Sequence, residues 1–170
     1  MCGQRVTQDA IRSFNDRPPK TGTDRICTPT PQRLATHMKG GCLCGNVRYR
    51  LAGDPLAVVT CHCIHCQKQS GSALSVVVAI ARKDLELAGE LTTFEDRGTS
   101  GQPVFRKFCG KCGSPILTDT PRAEAEGVIF IKGGTIDDAA TLLRPSVHYW
   151  TERQHEWLAL PDNDLILKRE

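Results

Sequence analysis

Apolar residues along this chain alternate with polar ones in short runs, and the longer spacing of amphipathic helices is rare. Val47, Tyr49 and Leu51 alternate with Arg48 and Arg50, as in a half-buried strand. Further strands are predicted at 56–60, 74–80, 91–95, 104–108, 116–118 and 128–132. Only 67–70, 121–126 and 137–143 have helical character, and each segment is short. The pattern therefore predicts a mainly β domain.

The first 37 residues differ in composition from the rest of the chain. They contain Pro18, Pro19, Pro29 and Pro31, one aromatic residue and no sustained periodicity. Such a segment buries too little apolar surface to offset the entropy lost on ordering. We therefore expect residues 1–37 to form a flexible N-terminal extension and residues 38–170 to form the folded domain.

The charge of the chain, +3, is unevenly distributed. Residues 1–37 hold six basic and three acidic residues, whereas residues 38–170 hold 16 of each. Because the domain has no basic excess, nucleic acid is an unlikely partner. The chain has no run of about 18 apolar residues, so no membrane association is expected. Its N-terminal region lacks the apolar segment of a secretory signal, which favours a cytoplasmic location.

Cysteine is the residue type that points to chemistry. The chain has nine cysteines, an odd number, and seven of them lie within residues 38–170 in three tight groups. The groups are Cys42-x-Cys44, Cys61-x-Cys63-x-x-Cys66 and Cys109-x-x-Cys112 followed by Gly113. These spacings, without a secretion signal, favour metal binding over a disulfide framework.

Seven thiolates divide most simply into four and three. A structural zinc site is closed by four ligands, whereas a reactive site keeps one position open. The first and third groups together supply four sulfurs, which leaves the middle group with three. Spacing alone also allows a rival arrangement, in which Cys42 and Cys44 share a metal with Cys61 and Cys63.

The motifs around these cysteines resemble the glutathione-dependent formaldehyde-activating enzyme family, which includes the related centromere protein V domain. The resemblance extends from about Lys39 to Pro161 and covers the order and spacing of all seven cysteines. The motifs are GGCLCGNVRY (40–49), CHCIHCQKQSGSA (61–73), FRKFCGKCGSP (105–115), IKGGTIDD (131–138) and SVHYWTERQHEW (146–157).

The resemblance implies a β-rich fold of packed antiparallel sheets with two zinc ions per chain. It assigns Cys42, Cys44, Cys109 and Cys112 to a structural zinc, and Cys61, Cys63 and Cys66 to a catalytic zinc. It also implies carbon–sulfur lyase chemistry of the S-(hydroxymethyl)glutathione synthase type, in which glutathione adds to formaldehyde. The partners would then be a small-molecule thiol, with glutathione as substrate or co-substrate, and a small aldehyde.

Three histidines and one tryptophan near these motifs are predicted to have mainly structural roles. His62 lies between two cysteines that point the same way, so alternation directs it away from the metal. His65 is better placed to approach the site as a ligand or proton shuttle, although a loop role is favoured. His148 is expected to be a packed or hydrogen-bonded core residue, and Trp157 a core residue or a lid over apolar surface.

Charged residues beside the motifs are given structural interpretations as well. Asp137 and Asp138 are expected to cap a helix that follows them. Lys68, Arg106 and Lys107 could meet the carboxylates of glutathione, but a solvated position is favoured for each. No residue stands out as a general base.

Three functions therefore fit the sequence. The first is a zinc enzyme that acts on adducts of glutathione and formaldehyde. The second is a lyase for another small thiol. The third is a non-catalytic, zinc-stabilised interaction module like the centromere protein V branch, which the mildly basic residues 1–37 would suit.

Overall fold

The computed structural model describes residues 38–138, 140, 142 and 144–169. The predicted extension, residues 1–37, lies outside the described residues. The strands are β1 (Met38–Gly41), β2 (Arg48–Leu51), β3 (Ala57–Cys61), β4 (Ser75–Ala81), β5 (Leu85–Ala88), β6 (Leu91–Arg97), β7 (Pro103–Cys109), β8 (Pro115–Asp119), β9 (Val128–Lys132), β10 (Val147–Tyr149) and β11 (Leu165–Ile166). The α-helices are α1 (Ile64–Ser70) and α2 (Pro121–Ala125). The predicted mainly β fold is confirmed.

The described strands form two sheets. β1, β2 and β5 make an antiparallel sheet in the order β1-β2-β5, and the others make a sheet in the order β11-β10-β3-β4-β9-β8-β7-β6. Most neighbouring strands are antiparallel, as expected, but β10 runs parallel to both β3 and β11. Parallel neighbours cannot be joined by a tight turn, and residues 150–164 form the long connection between β10 and β11.

Apolar side chains from both sheets form one buried cluster. Tyr49 and Leu51 come from the smaller sheet, and Val78, Ile80 and Ile131 from the larger one. Because side chains alternate along a strand, the residues between these core positions point to the opposite face of the larger sheet. That face carries a group of polar side chains, described below.

The helical predictions have mixed outcomes. The short helices predicted near residues 67–70 and 121–126 are present as α1 and α2. The helix predicted over 137–143 includes residues 139, 141 and 143, which lie outside the described part. The carboxylate of Asp137 pairs with the guanidinium of Arg48 on the neighbouring strand. None of the described helices has the length and apolar character needed to span a bilayer.

Candidate metal centres

Four cysteines from two loops come together beside the smaller sheet. Cys42 and Cys44 follow β1, whereas Cys109 ends β7 and Cys112 lies in the turn after it. Their sulfur atoms all lie within 4.8 Å of one another. The Sγ atom of Cys44 is 3.5 Å from that of Cys42 and 3.8 Å from that of Cys109. Tetrahedral zinc, with Zn–S bonds of about 2.3 Å, separates its sulfurs by about 3.8 Å. The four thiols therefore fit zinc.

The two loops are shaped by glycines and by backbone amides. Gly45 and Gly113 each follow the second cysteine of a loop and have φ values of 75° and 73°. This left-handed conformation is strained for residues with a Cβ atom, so glycine allows the chain to turn sharply around the sulfurs. The N–H of Val47 donates a hydrogen bond to Cys42 Sγ at 3.2 Å.

Ser114 connects the two loops. Its Oγ accepts a hydrogen bond from the N–H of Leu43 at 3.1 Å and lies 3.3 Å from Cys112 Sγ. Hydrogen bonds from the Ser114 side chain and backbone lower the pKa of Cys112 to about 5. The thiolate form that a metal requires is therefore favoured at this ligand position.

The remaining three cysteines surround the start of α1. Cys61 ends β3, Cys63 is the N-cap of α1, and Cys66 lies in its first turn. The N–H of Cys66 donates to Cys63 Sγ at 3.3 Å, and the three sulfurs lie within 4.8 Å of one another. No further His, Cys, Asp or Glu of the described part belongs to this group. The structure thus separates the seven cysteines into four and three, and does not form the rival arrangement.

A buried chain of hydrogen bonds supports the loop of the three cysteines. His62 is fully buried, and its Nε2 lies 3.1 Å from Thr60 Oγ1. Thr60 Oγ1 lies 2.6 Å from His148 Nδ1, and His148 Nε2 lies 3.0 Å from a carboxylate oxygen of Asp164. Burial lowers the pKa of His62, which favours its neutral form. As predicted, His62 points away from the thiols and His148 is a hydrogen-bonded core residue.

On the other side of the cluster, two basic residues differ sharply in exposure. His65 is half exposed, and its Nδ1 lies 2.8 Å from a carboxylate oxygen of Asp96. Arg106 is only 7% exposed, so the expectation of a solvated position is wrong for it. Its Nε donates to Asp96 at 2.7 Å, and its Nη1 lies 3.9 Å from Cys66 Sγ and 3.1 Å from Gln69 Oε1. Arg106 therefore lies directly beside a thiol of the cluster.

Lys132 is a second buried cation beside the three cysteines. It is 4% exposed, and its Nζ donates to Ser75 Oγ at 3.2 Å. Ser75 pairs with Cys61 across β3 and β4. Burial lowers the pKa of Lys132, whereas negative charge on Cys66, and less strongly on Cys61, raises it.

The charges of Lys132 and Arg106 lower the pKa of a neighbouring thiol. The pKa of Cys66 is held well below its ordinary value, first by hydrogen bonds from Cys61 and Cys63, and then by the charges of Lys132 and Arg106. The two cations therefore favour the thiolate form of Cys66, whereas hydrogen bonds with Cys63 and Cys66, together with burial, raise the pKa of Cys61.

Several residues of the site were not singled out from the sequence. Asp96, Ser75 and Gln69 carry no sequence signal of their own, although Gln69 lies three residues after Cys66 on one helix face. Lys132 could have been noticed as a charged residue that ends the apolar run 128–131. The interpretation of Trp157 as a core residue is wrong, because its side chain is 72% exposed. Its ring lies 5.7 Å from that of His155, centroid to centroid, in a segment outside both sheets.

This chain has detectable similarity to a solved structure and to a sequence family. A solved structure of a Rhodobacter sphaeroides protein, a Northeast Structural Genomics target, is 18% identical in sequence. The match covers 59% of this chain and 89% of that one, with a TM-score of 0.44. No curated protein matches significantly. The sequence profile of the glutathione-dependent formaldehyde-activating enzymes matches residues 37–153. The chain therefore belongs to the glutathione-dependent formaldehyde-activating enzyme family.

Proposed function

We propose that this protein is a zinc-dependent carbon–sulfur lyase that forms or cleaves adducts of glutathione, or another thiol, with formaldehyde or a similar small aldehyde. Membership of the family supports this class of reaction. The observation that carries the proposal is the cluster of three thiols, flanked by the buried cations Arg106 and Lys132.

The donor sets of both clusters suit zinc, which prefers thiolate sulfur. Cys42, Cys44, Cys109 and Cys112 would hold a structural ion, and Cys61, Cys63 and Cys66 would hold a reactive one. When bound at the three thiolates, zinc supplies a Lewis acid that favours the thiolate form of an entering thiol at neutral pH.

The protein's own residues balance the charge of this site. Three thiolates and Zn²⁺ together leave one negative charge, and a substrate thiolate adds another. Asp96 binds Arg106 at 2.7 Å and offsets its charge, whereas no acid of the described part forms an ion pair with Lys132. Lys132 is therefore the cation that can offset an entering thiolate in this water-poor setting.

The test is the rate of formaldehyde loss in the presence of glutathione, measured against a blank without protein. The zinc-loaded protein should exceed the blank, and Cys66→Ser should reduce the excess by at least about 100-fold because it removes one of the three thiols. Cys27→Ser is the matched control, since Cys27 belongs to none of the three cysteine motifs of the sequence, and it should retain the full rate.

Two outcomes would contradict this proposal. A rate equal to the blank with glutathione and with other small thiols would favour a non-catalytic interaction module. A rate above the blank that Cys66→Ser preserves would show that the chemistry occurs away from the three-cysteine cluster.

A further inference from the structure

Gln69 is a partly buried residue beside the three-cysteine cluster, and the nitrogen of its side-chain amide has no hydrogen-bond partner among the described residues. Its Oε1 accepts a hydrogen bond from Nη1 of Arg106 at 3.1 Å, and a guanidinium can only donate hydrogen bonds. The amide is therefore oriented with its Nε2 group as a donor pointing away from Arg106. This Nε2 is buried and has no hydrogen-bond partner among the described residues. A buried donor without an acceptor is costly, so its retention calls for an explanation.

The orientation of Gln69 is held from two sides. Arg106 is itself fixed, because its Nε donates to Asp96 at 2.7 Å. Gln69 lies in α1 three residues after Cys66, so both project from the same side of the helix. The free Nε2 donor is thus placed beside the cluster by the sheet and by the helix together.

Lys132 approaches the same cluster from the sheet. Its buried ammonium has three donors, and Ser75 Oγ accepts one of them at 3.2 Å. Lys132 Nζ forms no other hydrogen bond within the described part of the chain. Arg106 lies opposite Thr118, and Thr118 lies opposite Phe130, so Lys132, two residues after Phe130, projects from the same face of the sheet as Arg106.

We propose that Gln69 Nε2 and Lys132 Nζ form an oxyanion site that binds the aldehyde oxygen beside the three cysteines. This inference rests on the proposed function. Two preorganised donors, one of them charged, suit an oxygen that gains negative charge during the reaction. The structural alternative is that Lys132 only neutralises thiolates, which would give Gln69 Nε2 no role.

The chemical step balances in atoms and charge. The thiolate sulfur attacks the carbonyl carbon, a C–S bond forms, and the π pair of the C=O bond moves onto oxygen. The resulting oxyanion accepts hydrogen bonds from Gln69 Nε2 and Lys132 Nζ and then takes a proton from water. That proton replaces the one released when the thiol ionised. Cleavage of the adduct follows the same steps in reverse.

The test compares two sulfur ligands by calorimetry on the full zinc-loaded chain. Thioacetate carries an oxygen on the carbon next to sulfur, as the adduct does, whereas ethanethiol has none. The ratio of their dissociation constants measures the contribution of the oxygen, and comparing this ratio between variants cancels the intrinsic difference between the two thiols. The wild-type protein should bind thioacetate more tightly than ethanethiol. Gln69→Met and Lys132→Met should each reduce this preference, measured as the ratio of the two dissociation constants, by about tenfold or more.

Lys83→Met is the control, because Lys83 is exposed outside the site, and it should keep the wild-type ratio. Zinc content and circular dichroism establish that each variant is folded. If Lys132→Met does not fold, Gln69→Met, a neutral change on a partly buried helix residue, still decides the question.

The outcomes separate this inference from the proposed function. Wild type that binds neither ligand would overturn both. Wild type that binds both, with a ratio unchanged in Gln69→Met and Lys132→Met, would overturn the oxyanion site alone. In a third outcome, Lys132→Met loses affinity for both ligands by the same factor and Gln69→Met shows no change. Lys132 would then only neutralise charge, and the oxyanion site would again be overturned.

Discussion

The side chain of Ser114 connects the two loops of the four-cysteine cluster by hydrogen bonds. It contacts Cys112 Sγ and accepts from the N–H of Leu43, so one hydroxyl serves both loops. Groups that orient metal ligands in this way commonly contribute about 10- to 100-fold to metal affinity.

We therefore expect Ser114→Ala to weaken zinc binding at the four-cysteine cluster by about tenfold. Competition with a chromophoric chelator measures this affinity. Ser100→Ala, in the exposed turn between β6 and β7, is the control and should leave it unchanged. Equal affinities in Ser114→Ala and wild type would show that the hydroxyl does not support the ligand.

Strand alternation predicted the orientation of His62 correctly, whereas the solvated position expected for Arg106 was wrong. Arg106 and Lys107 are adjacent basic residues on β7, so one of them must point to each face of the sheet. Which face is covered depends on where α1 packs, and that is a tertiary feature. The exposure of Trp157 was missed for a similar reason, since an aromatic side chain does not reveal whether its loop packs against the core.

The strand β7 links the two cysteine clusters. It carries Arg106 beside the three-cysteine cluster and ends at Cys109 in the four-cysteine cluster. Because Cys109 is completely buried and tied to the loop after β1, its cluster joins distant parts of the fold. The three-cysteine cluster, by contrast, involves only the short segment 61–66.

From this difference we predict unequal effects of two matched substitutions. Cys109→Ser should unfold or aggregate the domain, because a structural zinc contributes directly to the free energy of folding. Cys63→Ser should leave a soluble protein with one zinc ion. Circular dichroism, solubility and metal content measure the effects. Equal damage in both variants would contradict the assigned roles of the two clusters.

The longer strands were predictable from the sequence, whereas short edge strands and parallel pairing were not. β4 contains Val76, Val77 and Val78, which favour a strand strongly. β5 has four residues and β11 has two, which is too few for alternation to give a clear signal. The parallel position of β10 depends on the path of the chain after β9, which local patterns do not encode.

Residues 38–170 have an even balance of charge, whereas residues 1–37 have a separate, proline-rich composition. We propose that the first part is a flexible extension. Deleting residues 1–37 should then leave the melting temperature nearly unchanged, because a proline-rich segment with little apolar content contributes few buried contacts. Differential scanning calorimetry of the truncated and full chains provides the test, and a decrease of many degrees would show that the extension packs on the domain.

The central claim, that four cysteines hold a closed zinc site and three hold a reactive one, is tested most directly by metal content. Zinc per chain should be measured by mass spectrometry before and after a mild chelator, with and without glutathione. We predict two zinc ions initially, loss of one to the chelator with retention of the β fold, and slower loss when glutathione is present. A total of one zinc ion, or the loss of both ions together with unfolding, would contradict the account.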